Sequence, residues 1–285
     1  MKPESPIAVI IPTYRRTATL RQTLLRIQAC DPPPGQILVH IDASDNETSQ
    51  LLDSEFRDQV HWIQSNTSQG PGGGRNILIQ RSRYPFFASF DDDSYPLDPD
   101  YFAKACHLLE SRPSAAIIAN DVQEPGRLRV PAIGKLTQCY CFEGCGHVGR
   151  VEAFHHISGY VPLRHAYGME EADVALQLLD KGWQILQTSQ LRIFHDSDLT
   201  HHATAILNAS QIRNTGLKAY LRYPLTWWPY GLLQIASRIL YCVRKRRFNG
   251  IMTGVLSIPA ACVSYRHHRA VINSSTLRKV RSAAL

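Results

Sequence analysis

Three carboxylates stand in a row in the segment FDDDSYP, directly behind an apolar run. Like charges this close repel, so such a cluster is favoured by a cation or by heavy solvation. Mg²⁺ and Mn²⁺ prefer oxygen ligands and often share them with substrate phosphates. Asp91, Asp92 and Asp93 therefore read as a cation site, or else as a solvated acidic turn ahead of a helix. A second acidic group, Glu170, Glu171 and Asp173, opens the stretch GMEEADVALQLLDKGW. Carboxylates suit a helix start, and one of them is a candidate general base. The run NTSQGPGGGRN fits neither the Walker A spacing nor G-x-G-x-x-G. It precedes a helix, so it reads either as a flexible loop or as backbone N–H groups facing a phosphate, with Arg75 adding charge. His195 closes the apolar-basic run LRIF, and a histidine at a strand end facing an Asp cluster is a candidate metal ligand. Cys139, Cys141 and Cys145 beside His147 lack the paired C-x₂-C of common zinc sites, so incidental thiols are expected there.

These residues need a frame. Short β-rich runs fall at 7–11, 36–41, 60–64, 86–90 and 115–119, with helix-like stretches at 17–29, 48–57, 74–82 and 99–111 between and after them. Strand–helix alternation at this spacing predicts an α/β fold with a doubly wound, mostly parallel sheet. Ligands of such sheets bind outside the carboxyl ends of the strands. The candidates sit there: Pro12, Thr13 and Arg15 after the first strand, Asp42 after the second, the glycine run and Arg75 after the third, the Asp triplet after the fourth. A less regular segment runs from 121 to 160, followed by a helix at 170–182 and a strand at 184–188.

In this order the motifs resemble the family 2 glycosyltransferases, inverting enzymes of GT-A fold. IAVIIPTYRR is similar to that family's opening strand and loop. FEGCGHVGRVEAFHHISGY is similar to its acceptor-side loop, and GMEEADVALQLLDKGW to the stretch carrying its base. The match covers roughly residues 7–200. The resemblance implies a nucleoside diphosphate sugar (UDP-, GDP- or dTDP-sugar) as donor and a saccharide or lipid-linked acceptor. It implies that Pro12, Thr13, Arg15, Asp42, Arg75, Asp91 and Asp92 line the donor site. Asp93 and His195 would hold Mg²⁺ or Mn²⁺, and Glu171 would act as base. Gly144, Glu170 and Asp173 would lie on the acceptor side. The family's usual acidic pair is Glu-Asp where this chain has Glu170-Glu171, which leaves both glutamates as base candidates. A nucleotidyltransferase of similar sheet architecture and a non-catalytic sugar-nucleotide-binding protein are the alternatives; the PTYRR loop lacks the glycines of the former.

Charge divides the chain. Of 31 Lys and Arg, 13 lie after residue 201, where there is no acid; all 24 Asp and Glu come earlier. The first 200 residues therefore form the expected GT-A catalytic domain, and 201–285 a helical, basic, apolar appendage. Residues 224–243 approach the length of a membrane span but contain Arg238 and two prolines, and 251–263 is shorter than the roughly 20 residues a span needs. With Arg244-Lys245-Arg246-Arg247 between them and Trp227, Trp228 and Tyr230 nearby, these read as helices lying on or dipping into a membrane surface, or else as an appendage packed on the catalytic domain. No RNA-binding module is recognisable, so a nucleic-acid partner is not expected. The polar start of the chain and seven scattered cysteines suggest a reduced setting, hence a cytoplasmic protein peripheral at the inner membrane face.

Overall fold

The computed structural model describes residues 4–126, 134–166, 168–196 and 204–283. The strands are β1 (Ser5–Thr13), β2 (Pro34–Ile41), β3 (His61–Gln64), β4 (Phe86–Phe90), β5 (Ser94–Pro96), β6 (Ala115–Gln123), β7 (Thr137–Cys139), β8 (Gly146–Arg150) and β9 (Gln184–His195). They form one sheet of order β3-β2-β1-β4-β8-β6-β9-β5, with β7 also on β9. Parallel pairing joins β1 to β2 and β4, β2 to β3, and β6 to β9, while β8 runs antiparallel between β4 and β6. The sheet is therefore mixed and mostly parallel in its first half.

Helices cover both faces. α1 (Thr17–Gln28), α2 (Asn46–Glu55) and α4 (Tyr101–Glu110) pack on one face through Leu20, Leu24, Leu52, Phe102 and Leu109. α3 (Gly70–Arg81), α5 (Val151–His155) and α6 (Glu170–Asp180) pack on the other through Leu78, Phe154, Val174 and Leu178. Burial on both sides explains why β1 reads as the unbroken apolar run IAVII rather than an alternating strand.

Several elements differ from the sequence reading. α3 starts at Gly70, so most of the glycine run lies inside the helix. The reason is space: a Cβ on Gly72 would overlap the Glu170 carboxylate and Tyr160. β9 continues to His195 well past the expected end at 188, through a register irregularity opposite 119–121. The short strands β5, β7 and β8 were not expected.

After residue 204 the chain is helical: α7 (Ala205–Arg222), α8 (Trp228–Arg244), α9 (Ile251–Leu256), α10 (Ile258–Ser264) and α11 (Ser274–Ala283). α7 is largely buried, whereas α8 buries only Gly231 and Cys242. Among the described residues no helix is long and apolar enough to cross a membrane. The expected domain boundary at 200 lies outside the described residues, but the packing across it is continuous: Leu176 of α6 shares a cluster with Ala219, Tyr223, Ile272 and Leu277.

Candidate active site

The candidates gather at one edge of the sheet for a topological reason. The carboxyl ends of β1, β2 and β4 open at that edge. β8 is antiparallel to β4, with Phe90 opposite Gly146, so the start of β8 and Gly144 just before it reach the same edge. β5 pairs antiparallel with the end of β9, with Ser94 opposite His195, which carries His195 beside the Asp triplet.

One ligand atom each from Asp91, Asp93 and His195 lies within 4.8 Å of the others. His195 Nε2 is 3.3 Å from Asp93 Oδ1, and the Asp196 amide donates to the Asp93 carbonyl at 2.9 Å. Burial acts to raise the Asp93 pKa, but bonds from His195 and Arg16 outweigh it and hold the group below its ordinary value. Burial acts to lower the pKa of His195, and Asp93 reverses that, so its pKa is raised. Two carboxylates and an imidazole form an oxygen-rich donor set that suits Mn²⁺ or Mg²⁺.

Asp92 is turned the other way. It is buried, accepts from Thr13 Oγ1 at 2.8 Å and pairs with Arg16 Nη1 at 2.8 Å. Burial pushes its carboxyl up to about 7, against the opposing pull of Arg16. Asp92, expected on the donor side, thus fastens the β4 turn to the β1 loop. Arg16 was not among the expected site residues; it spans Asp92 and Asp93, the latter at 2.7 Å. Its only signal in the sequence was its place at a strand end.

Arg75 also departs from expectation. It is 1% exposed and acts as an internal hub. Its Nε donates to Ser89 Oγ at 3.0 Å, its Nη2 to Asp91 and to the Gly144 carbonyl, and its Nη1 lies 3.6 Å from Glu170. Burial acts against its charge, and Asp91 with Glu170 more than restores it.

The two glutamates of α6 are distinct. Glu170 is buried against Arg75 and Gly72, and its Oε1 has no hydrogen-bond partner. Burial raises its pKa, and Arg75 offsets only part of that. Glu171 is half-buried and faces the start of β8, where Gly144 leaves room for it: a Cβ there would overlap Glu171 Oε1. Its pKa is also raised, by burial first, with Arg75 opposing. Asp173, expected on the acceptor side, is fully buried, and both its oxygens are bonded to Arg222.

On the first strands, Asp42 accepts from Ser68 Oγ at 2.8 Å, from the Gln69 amide at 2.6 Å and from the Gly70 amide at 3.2 Å. The anion at the start of α3 is thus Asp42 itself, which replaces the phosphate suggested by the glycine run. Asp45, also missed, takes the Arg15 amide at 2.6 Å and caps α2 through Thr48. Arg15 and Ala43 hold φ near 54° and 52°, strained for residues with a Cβ. Such strain gathers at functional edges. Pro12 and Thr13 end β1 beside them. The cysteines among 139–145 form no metal group with His147: Nδ1 of this buried histidine lies 3.1 Å from the Glu143 carbonyl, and its ring packs tilted against Phe142.

The mixed, mostly parallel α/β sheet with its C-terminal helices is a GT-A-like fold. Structures sharing this fold include the Pyrobaculum calidifontis mannosyltransferase PcManGT in complex with GDP-Man and Mn²⁺, at TM-score 0.60 and 13% identity over 99% of this chain and 80% of that one. Staphylococcus aureus TarS in complex with UDP-GlcNAc aligns at TM-score 0.60 and 16% identity over 77% of this chain and 66% of that one. Residues 8–133 match the model of the glycosyl transferase family 2. A Campylobacter jejuni relative, GalNAc(5)-diNAcBac-PP-undecaprenol beta-1,3-glucosyltransferase, is 28% identical over 90 residues, which are 30% of this chain and 29% of that protein.

Proposed function

We propose that the chain is an inverting, divalent-cation-dependent glycosyltransferase. It would move a sugar from a UDP-, GDP- or dTDP-sugar to a hydroxyl of a saccharide or lipid-linked acceptor. The observation that carries this reading is the convergence of Asp91, Asp93 and His195 at the sheet edge that also carries Glu171 and Gly144. Asp91, Asp93 and His195 would hold Mg²⁺ or Mn²⁺, which when bound neutralises charge on the departing diphosphate. Pro12, Thr13, Arg15 and the turn held by Asp42 form the nucleoside side.

Glu171 takes the proton from the acceptor hydroxyl as that oxygen attacks the anomeric carbon. It is half-buried, and its raised pKa makes it a better base than an ordinary carboxylate. Glu170 is turned into the Arg75 hub and supports the base through the helix rather than through substrate. A retaining double displacement needs a second carboxylate close to the anomeric carbon. The inward aim of Glu170 therefore supports single displacement and inversion.

The membrane surface enters through the tail. Leu232, Leu233, Met252, Leu256 and Val263 are each more than 60% exposed, beside exposed Arg244, Lys245 and Arg246. An apolar surface fringed by basic residues suits an anionic leaflet, and a cytoplasmic, inner-face location follows from that reading. The Campylobacter relative's undecaprenol-linked acceptor is consistent with it.

The test is calorimetry of UDP, GDP and dTDP with and without Mn²⁺. One nucleotide is expected to bind only with Mn²⁺, and Asp93→Asn should abolish that dependence. Equal binding with and without the cation would overturn the metal assignment.

A further inference from the structure

The tail helices grip α6 at both ends. Near its start, Arg222 of α7 is fully buried and donates Nε to Asp173 Oδ1 at 2.7 Å and Nη2 to Oδ2 at 2.8 Å. The remaining Nη1 donates to the His268 carbonyl at 2.8 Å. At the other end, Asp180 Oδ1 accepts from the Asn273 amide at 2.8 Å and from Thr276 Oγ1 at 2.7 Å.

From Asp173 a polar chain leads back to the site. Gln177 Nε2 donates to Asp173 Oδ2 at 2.9 Å and to the Gly159 carbonyl at 3.0 Å. The next residue, Tyr160, has its amide and carbonyl held by the Asn76 side chain at 2.9 and 2.8 Å. Asn76 adjoins Arg75, which holds Asp91.

The first turn of α6 needs such support. Glu170, Glu171 and Asp173 crowd it with like charge, and Met169 at its N-cap makes no side-chain cap. Two buried arginines bracket that turn: Arg75 from the donor side and Arg222 from the tail. A buried ion pair gives up much of its attraction to desolvation, so it is a poor source of stability. A two-pronged guanidinium–carboxylate pair does fix direction.

We infer that Arg222, acting through Asp173, is a positioning residue for Glu171, which makes the C-terminal helices part of the catalytic unit. This rests on the reading of Glu171 as base.

The experiment uses the full chain carrying Arg222→Lys, and separately the charge-neutral double variant Asp173→Asn/Arg222→Met. The substrate is whichever of UDP-glucose, UDP-GlcNAc, UDP-GalNAc or GDP-mannose the wild type consumes with Mn²⁺. Folded variants should bind the nucleotide diphosphate with Mn²⁺ within about threefold of wild type, with donor KM unchanged. Their kcat should fall about 100-fold, the scale of a misplaced catalytic group. Hydrogen–deuterium exchange across 168–175 should rise. A merely structural pair would be replaced by the neutral double variant without loss of rate. Wild-type kcat and wild-type exchange in that variant, or in folded Arg222→Lys, would overturn the proposal. Normal turnover by Glu171→Gln would instead remove the base assignment, and exchange at 168–175 would still decide whether Arg222 holds the turn.

Discussion

Charge is used in opposite ways in two regions of this protein. At the sheet edge two ionic groups are buried and individually partnered: Arg75 lies among Ser89, Asp91, Gly144 and Glu170, and Asp92 lies between Thr13 and Arg16. On α8 and the turn after it the basic groups face outward, with exposed apolar side chains as neighbours. The same residue type does both jobs. Arg75 has no freedom and sets the direction of a carboxylate, whereas Arg244 and Arg246 contribute a field to whatever surface approaches. Buried charge yields geometry, and exposed charge yields attraction that salt screens.

That contrast can be broken by substitution, and the largest effect is expected at the hub. Arg75→Met leaves Asp91 and Glu170 without their buried cation, at a cost of about 3–5 kcal/mol in denaturant unfolding. A loss below about 1 kcal/mol would show that water replaces the arginine readily.

Next is Glu171→Gln, expected to lower kcat by about 10²–10⁴-fold with nucleotide affinity retained. Steady-state kinetics beside calorimetry separates the two quantities, and a matching fall in affinity would contradict the base role.

A smaller effect concerns His147, fully buried with its pKa lowered to about 3, by burial first and then by Arg75. Between that value and the ordinary histidine range, the unfolded chain binds a proton that the folded chain refuses. Stability therefore falls as pH drops through this window, by up to about 1.4 kcal/mol per pH unit from this group. Thermal unfolding of His147→Gln across the window should show a shallower slope than wild type.

The smallest effect on the fold is expected in the tail. Arg244→Glu with Lys245→Glu should leave stability within about 0.5 kcal/mol, yet weaken binding to anionic vesicles by about 1 kcal/mol or more per residue. Unchanged flotation in low salt would separate the tail from lipid.

Much of the site was legible in the sequence because its parts follow strands directly. Asp42, Asp91, Asp93 and Thr13 stand out this way, and the α/β alternation around them is the one observed. Position along a strand end does not reveal aim: Asp92 turns toward Thr13 and Arg16, and Arg75 into the interior. Both lie in segments rich in polar candidates, and only their burial separates them from their neighbours. Arg16 and Asp45 were passed over because a short polar loop offers no periodicity to rank one residue above the next. β8 escaped notice because GHVGR is too short and too glycine-rich to read as a strand.

The sequence by itself determined the strand–helix alternation of the first 120 residues, the carboxylates at the strand ends and the separation of acidic from basic regions, since all of these are local patterns of residue type. Tertiary structure decided which carboxylates meet. Antiparallel β5 and β8 bring His195 and Gly144 to the edge opened by β4, across gaps of tens of residues that no local pattern spans. It also decided that Asp173 belongs to Arg222, because a buried carboxylate must find its partner wherever the chain returns one, here from α7.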